Sequence, residues 1–195
     1  MKILMAIAAL TVATSVTAVE ARPFFDPVTQ SWQEAKPGQG GKHYNRIDIE
    51  TVKYDGPHRA GTIIVDTSER RLYLVEEGGK ARKYAVGVGK DGFTWSGTHR
   101  VTRKAEWPSW TPPPAMRARY AAKGRILPVR MEGGPDNPMG ARALYIGSTL
   151  YRIHGTIEPR TIGSAVSSGC IRMYNEDVID LAERVRLGSK VVVKH

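Results

Sequence analysis

Residues 61–89, GTIIVDTSERRLYLVEEGGKARKYAVGVG, carry the pattern that decides the fold class. Apolar runs rich in Ile, Val, Leu and Tyr are interrupted by Ser68-Glu69-Arg70 and by Glu77-Gly78-Gly79. Short β-branched and aromatic runs separated by a few polar or glycine residues are typical of β-hairpins. The stretch therefore predicts consecutive antiparallel strands joined by tight turns.

The rest of the domain predicts more short strands and two helices. We expect strands near residues 98–104, 143–147, 150–155 and 190–195, and helices over 114–124 and 175–185. The second helix is the better marked, since its apolar residues share one face, Asn175 is placed to cap it and Gly188 follows its end. The predicted fold class is mostly β with a few short helices.

The N-terminal residues 1–21 predict a cleaved signal peptide. Lys2 precedes an apolar run, and small residues end at Ala18 and at Ala21, the two candidate cleavage positions. The apolar run is shorter than the roughly 20 residues that span a bilayer, so we expect no membrane span after cleavage; an uncleaved anchor is the alternative. Residues 22–58 mix Pro, Gly and polar residues and predict a tether, partly ordered at most, before a single domain over 59–195.

The chain is basic, with 29 Lys and Arg against 19 Asp and Glu and a formal net charge of +10. Such a charge favours anionic partners such as cell-wall polymer, a membrane surface or nucleic acid. The basic residues are scattered and form no stripe with aromatic residues, so we expect no nucleic-acid partner.

Two kinds of ligand site are weakly supported by the sequence. Residues 87–92, GVGKDG, match G-x-G-x-x-G, but FTWSGTHR follows instead of the helix that a dinucleotide needs, so we expect a glycine-rich hairpin. The five histidines are scattered and stand at no ligand spacing with the cysteine. We therefore predict no cofactor and no metal.

Cys170 is the only cysteine of the chain, and it lies sixteen residues after His154. An exported protein meets an oxidising compartment, where an unpaired thiol is a candidate reactive group; a small buried apolar cysteine is the alternative. An adjacent imidazole can take the thiol proton and activate the sulfur as a nucleophile.

The neighbours of this pair fit the same chemistry. Gly169 leaves space for a substrate carbonyl and permits a turn that aims its amide N–H at an oxyanion. Gly155 leaves its carbonyl free to orient the imidazole of His154. Arg172 lies on the side of Cys170 if the chain is extended there, and it is suited to a carboxylate.

These residues resemble a known family. IHGT at 153–156, followed after residues 157–168 by GCIRM, is similar to the catalytic motif of the L,D-transpeptidases with a YkuD-type domain. PSWTPPPAMRARY and GPDNPMGARALYIG resemble the active-site loop and the segment before the histidine strand in the Gram-negative periplasmic branch. The resemblance covers residues 59–195.

The resemblance implies a β-sandwich-like catalytic domain that acts on peptidoglycan stem peptides. Cys170 would attack the carbonyl that joins diaminopimelate to the terminal D-alanine, and His154 would act as general base and then acid. The amides of Gly169 and Cys170 would hold the oxyanion. Ser168 stands where many members have histidine, and Arg172 would bind a stem-peptide carboxylate.

Three further residues lie in the segments that carry the resemblance. Trp110, in the proline-rich segment EWPSWTPPPAM, is either a wall of the substrate groove, which we favour, or part of the core. Met139 and Tyr145 are interpreted as packing residues.

The predicted function is a periplasmic, carbapenem-sensitive transpeptidase that forms 3–3 cross-links or anchors an envelope protein to the wall. An L,D-carboxypeptidase would use the same site with water as acceptor. A non-catalytic, basic wall-binding domain is the alternative from another class. A sortase-type enzyme fits less well, because that family places its histidine further upstream and its arginine further downstream.

Overall fold

The computed structural model describes residues 46–195 and the backbone of residues 24–26 and 31–33. The predicted signal peptide 1–21 and most of the predicted tether lie outside the described residues. Within the described part of the chain, none of the helices has the length and apolar composition to cross a bilayer.

The described residues form mainly strands. The strands are β1 Phe24–Asp26, β2 Ser31–Gln33, β3 Glu50–Lys53, β4 Ile63–Asp66, β5 Arg71–Glu76, β6 Lys80–Ala85, β7 Val88–Gly89, β8 Gly97–Glu106, β9 Arg142–Ile146, β10 Arg152–His154, β11 Ala165–Ser167, β12 Ile171–Arg172 and β13 Lys190–Lys194. The helices are α1 Pro114–Ala121 and α2 Asn175–Arg184, with a 3₁₀ turn at Pro159–Thr161. The prediction of a mostly β fold is confirmed, and α1 ends three residues earlier than predicted.

Nine strands form one sheet in the order β12-β10-β9-β8-β13-β4-β5-β6-β3. Strands β4, β5 and β6 pair antiparallel in sequence, with Ile63 opposite Leu74 and Leu72 opposite Tyr84, as residues 61–89 predicted. The turn between β5 and β6 uses Gly78 and Gly79 at positive φ, a conformation that glycine adopts without steric cost. Local sequence therefore accounts for this half of the sheet.

The sheet curls over a single main core. Leu72 of β5 and Ile171 of β12 belong to the same buried cluster, although six strand spacings separate β12 from β5 in the sheet order. In a flat sheet these strands would lie about 29 Å apart. Gly87, just beyond β6, pairs with Arg172 of β12 through two backbone hydrogen bonds of 2.9 and 2.8 Å, which brings the two ends of the sheet together. The result is sandwich-like, with apolar side chains from both halves meeting inside.

Helix α2 covers the core with one face, as its sequence predicted. Val178, Leu181 and Ala182 are buried in the main cluster, and Lys104 of β8 donates to the carbonyls of Ala182 and Val185 at the C-terminal end of the helix. A lysine in this position satisfies carbonyls that the helix leaves unpaired and complements the helix dipole.

The predicted capping role of Asn175 is wrong. The cap position is Tyr174, which makes no side-chain capping bond, and Asn175 is the first helical residue. Its side-chain oxygen instead accepts the backbone N–H groups of Ala141 and Thr156 at 3.0 and 3.2 Å. These buried N–H groups need a partner within the protein, and that requirement outweighs local capping.

The end of the predicted tether pairs with the sheet. Strand β3 lies inside the range 22–58 and forms an edge strand antiparallel to β6. Arg46, just before β3, forms an ion pair with the fully buried Asp177 of α2. Ile49 packs against the main core. This part of the chain is thus attached to the main sheet and to α2 by backbone, charged and apolar contacts.

We expect Asp66→Ala to lower the free energy of unfolding by about 2 kcal/mol at pH 7, since hydrogen bonds to a charged group contribute roughly this much. Asp66 accepts from Ser68, from the N–H of Glu69 and from Lys194 of β13. Burial of the carboxyl opposes ionisation, but the bonds from Lys194, Glu69 and Ser68 prevail and lower the pKa of Asp66 to about 2.

Because this pKa lies below the value of about 3.9 in an unfolded chain, the contribution is present above pH 4 and is lost as the pH falls towards 2. Urea denaturation at pH 7 and pH 3 checks this, with Asp55→Ala as the control, since Asp55 forms only an exposed pair with Lys53. Equal losses for the two variants, or a loss at Asp66 that does not shrink at pH 3, would contradict the assignment.

Candidate active site

Strands β10 and β12 pair in parallel, and this pairing assembles the candidate site. Ile153 lies opposite Ile171, and His154 lies opposite Arg172. Both isoleucines are fully buried in the core. Because side chains alternate across a strand, His154 and Arg172 lie on the other face, and Cys170, two residues before Arg172, shares that face with them.

The turn before Cys170 requires glycine at position 169. Gly169 has a φ of +107°, and a Cβ placed there would overlap the ring of Tyr151. The indole N–H of Trp95 donates to the Gly169 carbonyl at 2.8 Å, and the Trp95 ring stacks on Tyr151 with centroids 4.5 Å apart. Two aromatic rings therefore fix the backbone that presents Cys170.

Ser167 closes the same turn with its hydroxyl group. The hydroxyl accepts the N–H of Gly169 at 3.1 Å and donates to the carbonyl of Cys170 at 2.6 Å. The predicted oxyanion role of the Gly169 amide would thus require this N–H to leave Ser167.

His154 is held with a defined tautomer. Its Nδ1 lies 2.6 Å from the carbonyl of Gly155, and because a carbonyl only accepts, Nδ1 carries the proton and Nε2 the lone pair. Burial lowers the pKa of His154 to about 4; the backbone carbonyls of Gly155 and Met139 oppose this, while Arg172 and Arg152 add to it. The imidazole is therefore neutral at pH 7 and available as a base.

Asn175 is a site-building residue that the sequence analysis missed. A Cβ at Gly155 or at Gly140 would overlap its Oδ1 atom, so both glycines allow close approach of the amide. The amide joins the start of β9, the residue after Gly155 and the start of α2. Its only sequence signal was a polar residue at a helix start, which a cap explains equally well.

The thiol of Cys170 is uncharged at rest. Burial raises its pKa, although the residue as a whole keeps some exposure, while the backbone N–H and guanidinium of Arg152 and the charge of Arg172 favour the thiolate. The thiol and the imidazole of His154 are not hydrogen-bonded to each other. The resting pair is a neutral thiol beside a neutral imidazole, and in free enzymes such contacts often tighten only when substrate binds.

The remaining predicted site residues have partners other than Cys170 and His154. Arg172 forms an ion pair with Glu158 at 2.9 Å, so its guanidinium already has a carboxylate partner. Ser168 accepts a hydrogen bond from Arg119 of α1 at 3.2 Å. Trp110 pairs through its backbone with Met131, in the segment between β8 and β9. The aromatic residues against the turn before Cys170 are Trp95 and Tyr151, which the sequence analysis did not select.

The two predicted packing residues differ in burial. Met139 is buried. Tyr145 is half-buried, with the guanidinium groups of Arg103 and Arg152 lying 3.6 and 5.1 Å from its ring centre.

The glycine-rich segment 87–92 does not form the predicted hairpin. Strand β7 pairs in parallel with β11, with Val88 opposite Ala165, and the described residues between β7 and β8 form no helix. The glycines permit close contacts instead: a Cβ at Gly87 would lie 3.0 Å from the carbonyl of Thr161, and a Cβ at Gly89 would overlap the carbonyl of Phe93. Among residues 46–195, no three His, Cys, Asp or Glu side chains are grouped as metal ligands would be.

Comparison with known proteins identifies the class to which this fold belongs. The structure is similar to the crystal structure of L,D-transpeptidase 3 from Mycobacterium tuberculosis, with a TM-score of 0.54 and 16% sequence identity over 69% of this chain and 60% of that one. At this identity the likeness concerns the fold, which is that of an L,D-transpeptidase domain.

The sequence comparisons identify the family. Residues 60–193 match the YkuD family of L,D-transpeptidase catalytic domains, and the chain belongs to this family. It is 40% identical over 169 residues to the probable L,D-transpeptidase YbiS of Escherichia coli K12, covering 81% of this chain and 53% of that protein. The chain thus spans about half the length of this relative.

One similar structure carries a different description. A Brucella melitensis protein described as a probable carnitine operon oxidoreductase is 43% identical, with a TM-score of 0.50 over 77% of this chain and 96% of that one. In the present chain, the glycine motif that would suggest an oxidoreductase is part of the β7 region and lacks the phosphate-binding helix.

We expect Gly169→Ala to destabilise the protein by about 2 to 4 kcal/mol, because the left-handed backbone and the overlap with Tyr151 both oppose a side chain. Gly188→Ala is the matched control: Gly188 has a φ of +83°, and nothing lies within 4 Å of an added Cβ. Urea denaturation compares the two variants. Equal destabilisation would show that the Tyr151 contact does not constrain the turn before Cys170.

Proposed function

We propose that the chain is a cysteine transpeptidase of peptidoglycan, with Cys170 as nucleophile and His154 as general base and acid. The observation that carries this proposal is the parallel β10–β12 pair, which places both residues on one face of the sheet. The tautomer of His154 supports it, since the bond to Gly155 leaves Nε2 free to accept a proton.

The reaction proceeds by two acyl transfers. Nε2 of His154 takes the thiol proton, and the sulfur attacks the carbonyl between diaminopimelate and the terminal D-alanine. The tetrahedral intermediate collapses to a thioester, and His154 returns the proton to the leaving amine of D-alanine. An acceptor amine then loses a proton to His154, attacks the thioester and releases Cys170 as a thiol.

A cationic cavity beside the nucleophile turn supports an anionic peptide as substrate. The cavity has a volume of about 160 Å³ and is lined by Lys90, Arg119, Lys123, Arg125, Tyr120, Val166 and Ser168. None of these residues is acidic, and Arg119 is positioned by Ser168 and by the ring of Phe93, 5.0 Å away. Stem peptides carry free carboxylates, which such a cavity attracts.

Three reactions are compatible with the thioester, and they differ in the acyl acceptor. A second stem peptide gives a 3–3 cross-link, an amine of an envelope protein gives anchoring, and water gives an L,D-carboxypeptidase. The predicted periplasmic location and signal peptide agree with a wall substrate. A non-catalytic wall-binding domain would account for the net charge of +10 but not for the orientation of His154.

We expect the purified protein to change the muropeptides of isolated sacculi, and Cys170→Ala to leave them unchanged, because the thiol is the acyl carrier. Mass analysis after digestion separates the outcomes: cross-linked dimers indicate transfer between stems, and tripeptides alone indicate hydrolysis. Arg186→Gln, an exposed change between α2 and β13, is the control and should act like the wild type. An unchanged profile with the wild type, or an active Cys170→Ala, would contradict the proposal.

We expect the double variant Lys123→Gln, Arg125→Gln to raise KM for a tetrapeptide donor about fivefold with little change in kcat. Each exposed charge pair contributes up to about 1 kcal/mol, and binding that is uniform between ground and transition states appears in KM. Steady-state release of D-alanine measures both constants, and Arg186→Gln again serves as control. An unchanged KM would exclude the cavity as part of the donor site.

A further inference from the structure

Arg152 lies beside the nucleophile because of the strand register. Ile153 pairs with Ile171, so the preceding residues on the two parallel strands, Arg152 and Cys170, lie next to each other. Both precede core residues by one position and therefore share the face that carries His154. The sequence analysis did not select this arginine, since only the pairing of β10 with β12 brings it to the thiol.

The guanidinium of Arg152 has one hydrogen-bonded nitrogen and one buried nitrogen without a hydrogen-bond partner among the described residues. Its Nη1 donates to the carbonyl of Leu150 at 3.1 Å, and its charge lies 5.1 Å from the ring centre of Tyr145. Its Nε atom is buried and has no hydrogen-bond partner among the described residues. A buried donor without an acceptor is costly, so its presence needs an explanation. A negative charge that forms during function is one such explanation.

The site needs a cation when the thiol ionises. Within the described part of the chain, Arg172 is paired with Glu158, whereas Arg152 has no carboxylate partner. The backbone N–H and the guanidinium of Arg152 both favour the ionised form of Cys170 against the opposing effect of burial. Burial and the charges of Arg172 and Arg152 lower the pKa of His154, so the protonated imidazole is unfavourable.

We propose that Arg152 is the cationic partner of the Cys170 thiolate, with its guanidinium stabilising the sulfur anion that forms when His154 accepts the proton. This role concerns the reactivity of the thiol itself and holds for any acyl donor or acceptor. Arg152 is thus a third catalytic residue beside Cys170 and His154.

The test measures the reactivity of the single cysteine with iodoacetamide between pH 7 and pH 10.5, followed by mass. We expect Arg152→Gln to lower the alkylation rate at pH 8 about tenfold and to move the rate profile up by about one pH unit. Arg152→Lys keeps the charge and should retain most of the wild-type rate. Arg103→Gln is the matched control. The guanidinium of Arg103 also contacts the Tyr145 ring, 3.6 Å from its centre, but Arg103 is exposed.

A wild-type profile for a folded Arg152→Gln would overturn the proposal, as would an equal loss with Arg103→Gln or an equal loss with Arg152→Lys. Urea denaturation establishes that each variant is folded. If Arg152→Gln does not fold, Arg152→Lys decides the test, because a tenfold lower alkylation rate in that variant would refute a charge effect. Alkylation requires no peptide substrate, so the result is independent of whether sacculi are cross-linked.

Discussion

The parallel pairing of β10 with β12 is the constraint on which the site depends. Parallel neighbours cannot be joined by a tight turn and need a long crossover. Here the crossover runs from Gly155 to Cys170 and contains a 3₁₀ turn, strand β11 and the glycine turn before Cys170. Backbone bonds fix its far end, because Arg172 pairs with Gly87 and the N–H of Met173 donates to the carbonyl of His154 at 2.8 Å. Cys170 and His154 thus belong to one hydrogen-bonded ladder.

The electrostatics of the site keep both reactive groups neutral at rest. Burial raises the pKa of Cys170 and lowers that of His154 to about 4. A protonated thiol reacts slowly with oxidants, which protects the single cysteine of the chain. Slow alkylation at neutral pH is therefore compatible with a catalytic cysteine in this environment, and acyl transfer is the more decisive test. The guanidinium of Arg152 then becomes important only as the proton leaves.

The sequence predicted those parts of the fold that depend on near neighbours. The strands β4 to β6 and helix α2 follow from alternating or helical apolar patterns that span fewer than thirty residues. The failures involve distant partners. Asn175 was interpreted as a cap because the buried N–H groups of Ala141 and Thr156 cannot be seen from position 175. The glycines at 87–89 were interpreted as a hairpin because their true partner, β11, lies more than seventy residues away.

The candidate site shows the same division. The sequence by itself determined the chemical types: one thiol, one histidine followed by glycine, and a glycine before the thiol, with a family motif that selected them together. Only the tertiary structure decided what surrounds them: Trp95 and Tyr151 behind Gly169, Ser167 on its N–H, Glu158 on Arg172 and Arg152 beside the sulfur. The reason is physical. A residue type fixes which proton or charge is available. Strand register and the closure of the sheet set the burial and the partners of each group, and these in turn fix its pKa and its direction.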